Sequence, residues 1–370
     1  MAGGRGRARG GSGRHHGGRI GPGARRAPAR RRPPAGRAPC RALCRLAAVF
    51  RGDGMSVAAY PIPARANLAI AAAAILANLA LLWLAAHAPA WWITAACAIG
   101  FSFTNNTVFA LHHEAVHGGF HPDRRINEAA GPLFAAFFPT IFSIQRISHL
   151  GHHRRNRTDE ELYDCYLPGQ SWLLKTYWIY CLLTGFYWVI IPLAGLVYLA
   201  WPRAFRSKAF RQGPARWWGF EPFVADIGRA PIGRVWLEGV FTLAVQAGLF
   251  WLLDLSPVSW LACYWAFGIN WSSVQYTDHA GSPRDVLEGA WNLRFWPVTQ
   301  ALFLNYNLHL AHHRQPGVPW IHLPRLVRAG DPAPSFWPIY LGLFRGARKA
   351  PPGPGPRPLP EHPAPSPDIP

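Results

Sequence analysis

The sequence predicts an all-α, polytopic membrane protein. It should have about four clear transmembrane helices, interfacial or re-entrant helices between them, and a histidine-box cap on the cytoplasmic side. Three observations predict this. Half of the 370 residues are hydrophobic and only 15% are charged. Several apolar runs approach or exceed the roughly 20 residues needed to span the hydrocarbon core. Outside the ends of those runs sit three histidine clusters, His112-His113-Glu-Ala-Val-His117, His149-Leu-Gly-His152-His153 and His309-Leu-Ala-His312-His313.

The net charge of +20 is unevenly spread. Residues 1–54 hold 14 Arg and one Asp, a net +13, which leaves +7 for the remaining 316 residues. This Arg/Gly/Pro/Ala stretch lacks the apolar core of a signal peptide. It reads as a disordered basic leader or as a mis-assigned start, Met55 being the only other methionine. The membrane domain is then 55–346, followed by a Pro-rich tail, 347–370, of disordered composition. Six cysteines at 40, 44, 97, 165, 181 and 263 form no disulfide or zinc-ribbon pattern, and are expected as small buried hydrophobes.

The first span is Asn67 to about Ala86, free of charge; Trp91 and Trp92 then mark an interface, where Trp prefers to lie. A second span, about 91–111, runs into the first histidine cluster. Its Thr104-Asn105-Asn106-Thr107 patch is costly in lipid and is expected to face the protein interior. Gly131 to Ile144 is too short to span and is interrupted by Pro139, which suits an interfacial or re-entrant helix. Trp172 to Trp201, with Pro192 inside, is one long span or a shallow hairpin. The basic loop 202–234 favours the cytoplasm. Two further spans, about 235–253 and 257–275, lead to the third cluster. All three clusters share one membrane face only if 172–201 returns to the side it left.

On a helix, positions i and i+4, or i, i+3 and i+4, project from one face. Each cluster can therefore aim two or three imidazoles at one point. Counting one of His112 and His113, the clusters supply eight nitrogen donors, too many for one ion. Imidazole suits iron, zinc, copper or nickel, whereas magnesium and calcium prefer oxygen. The composition therefore points to a polynuclear metal site at a membrane surface. Isolated histidines such as His87, His121, His322 and His362 are expected to be bystanders. A competing pattern is His113-Glu114-Ala115-Val116-His117, literally H-E-x-x-H, the zinc-protease signature. It would leave the second and third clusters unexplained. A metal transporter or sensor is the non-enzymatic alternative, but transporters place ligands within spans near the midplane.

The set H-x-x-x-H, H-x-x-H-H, H-x-x-H-H on a polytopic chain resembles the membrane fatty acid desaturase superfamily, which includes hydroxylases and ketolases. The resemblance covers about residues 67–325. It extends past the third box through Asn305-Tyr306-Asn307, Pro316 and Pro319-Trp320-Ile-His-Leu-Pro324. It implies metal ligands at His113, His117, His149, His152, His153, His279, His309, His312 and His313. His112 stands as the alternative to His113, since the family tolerates both spacings. Gln275 falls where the family can place an amide that contacts metal through water.

The implied chemistry uses two iron ions (Fe2+) and O2 as co-substrate. Two electrons come from a separate ferredoxin or b-type cytochrome with its reductase. Abstraction of a second hydrogen gives an alkene, whereas hydroxyl transfer gives an alcohol. The leading expectation is a desaturase of fatty acyl chains. The alternative is a hydroxylase or ketolase acting on fatty acid, sphingoid or carotenoid chains. Partners are a lipid or acyl-chain substrate, membrane lipids and the electron donor, with no nucleic acid. The expected location is a bacterial inner (cell) membrane with the boxes on the cytoplasmic side. Metal-bound imidazoles want an acceptor on the other ring nitrogen, and Asp159, Glu160, Asp164, Asp278 and Glu114 are the acids at hand. Arg146, Arg154, Arg155 and Arg157 either meet a phosphate or thioester headgroup, or serve as positive-inside anchors.

Overall fold

The longest charge-free run, residues 66–113, falls within two helices, Ala64–Ala86 (α1), with Pro63 just before it, and Trp91–His117 (α2). The structure is a computed structural model that describes residues 60–360. The expectations for residues 1–54 and for the last ten residues lie outside the described residues. α2 stops at Gly118, whose φ of 77° suits glycine; the Gly119 N–H then closes on the Glu114 carbonyl at 2.7 Å. This stop places the first histidine box on the last turns of α2.

The polar patch of α2 turns inward, as its cost in lipid requires. Asn78 of α1 donates to Asn105 at 2.9 Å, Asn105 donates to the Phe137 carbonyl at 3.1 Å, and Thr107 donates to the Leu302 carbonyl at 2.7 Å. Satisfied in this way, the amides clamp α2 between its neighbours rather than carrying a desolvation cost.

The short segment 131–144 is the junction of two 14-residue helices, Arg124–Phe137 (α3) and Phe142–Arg155 (α4), with Pro139 in the break between them. Asp123 caps α3 by accepting the Arg125 N–H at 2.8 Å. α4 is capped from elsewhere in the chain. Glu238 accepts both the Ser143 N–H, at 2.7 Å, and the Ser143 hydroxyl, at 2.9 Å. A carboxylate there satisfies an orphan donor and suits the positive end of the helix. α4 carries the second box, so this cap helps fix its position.

Where α3 crosses α4, Gly131 lies against the ring of Phe142, and a Cβ at that position would overlap the ring. Phe142 in turn packs edge-on to His112. Gly131→Ala is therefore expected to destabilise the protein by about 1–3 kcal/mol through overpacking. A thermal melt in detergent checks this, and an unchanged midpoint would contradict it.

Beyond α4 a two-residue strand, Cys165–Tyr166 (β1), precedes Trp172–Leu183 (α5) and Phe186–Ala200 (α6). The α5–α6 pair bends by 100° at its break. Gly185 makes the bend, with φ 78° and room only for a hydrogen where the backbone of residues 268–269 passes. The basic loop 202–234 is not a simple linker. It folds into short helical turns and the helix Glu221–Ile227 (α7), which packs on α4. Ile232–Leu252 (α8) and Pro257–Thr277 (α9) follow. The third box forms the short helix His309–Arg314 (α10), and Phe336–Leu343 (α11) leads to Arg348–Lys349 (β2). β2 pairs in parallel with β1, Cys165 opposite Arg348, and the Leu359 N–H donates to the Arg154 carbonyl at 2.9 Å. The Pro-rich segment up to Leu359 thus lies against the second box's end of the fold.

α1 and α8 are each long and apolar enough to cross a membrane, and the bent α5–α6 pair passes only if taken together. α2 and α9, with 27 and 21 residues, are long but interrupted by inward-facing polar residues such as Asn105, Asn106, Ser272 and Gln275. Cys97, Cys165, Cys181 and Cys263 are free and buried, as expected of small hydrophobes.

Candidate metal centre

The helical spacing of the boxes sorts the histidines into two groups. His113, His117, His149, His153 and His312 converge in one, and His152, His279, His309 and His313 in the other. Within each group, one ring nitrogen per residue lies within 4.8 Å of all the others. The i, i+4 pairs 113/117, 149/153 and 309/313 each serve a single group. The i+3 residues His152 and His312 cross to the other group. The second and third boxes therefore each bridge both clusters, which a helix achieves by turning its i+3 side chain off the i, i+4 line.

The nitrogens are as close as co-ligands would be. His117 and His149 Nε2 lie 2.9 Å apart, His149 and His153 3.0 Å, His153 and His312 3.0 Å, and His152 and His279 3.1 Å. An imidazole nitrogen sits about 2 Å from a first-row metal, which places co-ligands about 3–4 Å apart. The Nε2 atoms of His113 and His313 are buried with no hydrogen-bond partner. Burial, helped by neighbouring imidazoles, holds His149, His153, His279, His309, His312 and His313 well below the usual histidine range. They are neutral at physiological pH, the form that binds metal. The donor set and its geometry fit two metal ions.

The two candidates of box one point differently. His113 joins the five-histidine group, whereas His112 packs against Phe109 and Phe142 with neither ring nitrogen hydrogen-bonded. Three expected bystanders stand apart from both groups. His121 accepts the Asp123 N–H, His87 contacts the Trp83 carbonyl, and His322 contacts the Pro61 carbonyl. His362 lies outside the described residues. Gln275 accepts from the Tyr306 hydroxyl at 3.2 Å and lines the cavity over the histidines.

The outer partners differ from those expected. His152 Nδ1 faces Glu161 at 2.8 Å, and His279 Nδ1 faces the Gly289 carbonyl at 2.8 Å. Sequence reasoning missed both residues, although Glu161 lies only nine positions past His152. Of the acids that it put forward, Asp159 pairs with Arg284 and Asp164 with Arg157. Glu160 lies near Arg155, and Glu114 accepts the Trp320 N–H at 3.2 Å. The four arginines around box two are engaged within the fold. Arg146 pairs with Glu128, Arg154 and Arg155 with Asp226, and Arg157 with Asp164.

Beside the histidines lies a cavity of about 180 Å3. Trp178 and Leu182 of α5, Tyr187 and Ile191 of α6, and Trp271 of α9 supply its apolar walls, and His112, His149, His279 and His309 face it from the metal side. A largely apolar cleft with a few convergent polar groups is the usual form of a small-molecule site.

Membrane-length apolar helices, two converging histidine groups that could hold metal and an adjoining apolar cavity together define a helical membrane protein with a candidate metal centre. The family model for fatty acid desaturases matches residues 89–336, a stretch that contains all nine clustered histidines, and the chain belongs to that family. It is an oxidoreductase of that family. No curated protein matches the chain.

Proposed function

We propose that the protein is a membrane di-iron oxidoreductase that uses O2 and two external electrons to introduce a double bond into a fatty acyl chain. The observation that carries this is the sharing of boxes two and three between both histidine groups, an arrangement that would hold two metals in one frame. The family supports iron as the metal. His113, His117, His149, His153 and His312 would hold one Fe2+, and His152, His279, His309 and His313 the other. When bound, the iron pair supplies activation of O2 for hydrogen removal from an unactivated C–H bond. Gln275, which accepts from the Tyr306 hydroxyl, would contact metal through water.

The protein's own share is positioning. Trp178, Leu182, Tyr187, Ile191 and Trp271 hold an apolar chain against the histidines and exclude water. Placement of the carbon decides between removal of a second hydrogen and hydroxyl transfer. Making one alkene while reducing O2 to two waters takes two hydrogens from the chain, plus two electrons and two protons from outside. The electrons come from a separate ferredoxin or b-type cytochrome with its reductase. α2 and α9 cross the membrane alongside α1 and α8, their polar residues turned inward. The boxes then face the cytoplasm of a bacterial inner membrane, the side that the basic residues of 202–234 favour.

Lipid profiling of an expressing host supplied with electron donors tests the reading. New double bonds are expected. Hydroxylated or oxo products would favour a hydroxylase or ketolase, and no product with competent donors would sink both. A narrower expectation concerns the cavity wall. Leu182→Trp should cut product formation about tenfold or more by displacing the chain, with iron content unchanged. Product yield and iron content, measured on the same preparation, check it; full activity would show that the chain does not pass Leu182.

A further inference from the structure

Asp278 caps the C-terminal end of α9, immediately before His279. It is 0% exposed, and neither carboxylate oxygen has a hydrogen-bond partner among the described residues. The other buried acids around the centre are engaged. Glu161 meets His152 and Arg155, Asp164 meets Arg157 and Tyr276, and Glu114 accepts the Trp320 N–H. A buried carboxylate that is neither paired, hydrogen-bonded nor bound to a metal takes up a proton instead, so an ion beside Asp278 would give its charged form a partner. Asp278 lies against two members of the four-histidine group, His279 and His309. Its Oδ2 lies 3.5 Å from His309 Nε2 and its Oδ1 lies 3.8 Å from His279 Nε2. His279 uses Nδ1 on the Gly289 carbonyl, so Nε2 is its free donor atom. A separation of 3.8 Å falls within the spacing of two ligands on one ion.

We propose that Asp278 supplies an oxygen donor to the metal of the four-histidine group. The inference rests on the di-iron reading above. It makes the two sites unequal, with five imidazoles on one metal and four imidazoles plus a carboxylate on the other. The hard anionic oxygen also neutralises one positive charge at the second site and none at the first.

The test uses the full chain, purified in detergent and loaded with 57Fe, as wild type, Asp278→Asn and Asp278→Ala. Elemental analysis gives the iron content and Mössbauer spectroscopy the iron environments. Wild type is expected to hold two irons as two distinct doublets. In both variants one doublet should stay unchanged while the other shifts or is lost, and added acetate should partly restore it in Asp278→Ala. A second measurement separates ligation from a merely structural role. Without metal, Asp278→Asn should melt no lower than wild type, because the acid it replaces has no partner; with iron it should melt lower than wild type. Two unchanged doublets in both variants, or equal destabilisation with and without iron, would overturn the assignment alone. A wild-type protein that binds no iron would overturn the di-iron reading and the assignment with it.

Discussion

His113→Ala is expected to abolish loading of the five-histidine site and all turnover, while His112→Ala keeps iron and most activity. The two residues are neighbours in the chain, of the same type, and both buried. They differ in direction. His113 Nε2 is buried without a partner among His117, His149, His153 and His312, whereas the His112 ring is wedged between Phe109 and Phe142. Altering even the outer partners of a metal site costs about 10–100-fold in metal affinity or activity, so losing a direct donor should cost more. His112→Ala removes packing instead, worth about 1–3 kcal/mol of stability by analogy with other core truncations. Iron content and product yield, measured in parallel, decide the matter. Equal loss in both variants would mean that His112 also serves the centre.

Arg155→Met should be the most destabilising substitution away from the histidines. Arg155 sits between two buried carboxylates, donating to Asp226 at 2.5 Å and to Glu161 at 3.0 Å. Its side chain is 7% exposed, and those of Asp226 and Glu161 are 3% and 8%. Removing one partner of a buried ion pair costs about 3–5 kcal/mol, because the charge left behind stays desolvated. Asp226 keeps Arg154 and Arg229, so the charge left without an arginine is that of Glu161. The damage also reaches the metal. Glu161 holds the Nδ1 side of His152, so a displaced Glu161 loosens that ligand, with an expected loss of about 10–100-fold in iron affinity. Denaturant melts with and without iron measure both effects. A variant that melts like wild type would show that Glu161 finds another partner.

Much of the site was readable in the sequence because it is helical and local. The i, i+4 and i+3 spacings that sort the histidines into two groups are printed in the boxes themselves. His279 came from resemblance rather than from spacing, and the fold brings it to the second group. What was not readable depends on contacts between distant segments. The choice of His113 over His112 follows from α3 and α4 closing on α2, with Gly131 and Phe142 at the crossing. Asp226 reaches Arg155 across 71 positions, through a loop that sequence reasoning treated as a basic linker. One signal was available in the second box. Gly151, between His149 and His152, leaves room where any Cβ would meet Asp226 and Arg155. The membrane-length apolar helices α1 and α8 were legible in place. α2 and α9 are harder, because residues that serve the interior lower their apolar character.

The central claim is that the two histidine groups hold two irons. Elemental analysis of the purified full chain tests it most directly. Two irons per chain is the expected result; a single zinc, or no transition metal after iron-replete expression, would contradict it.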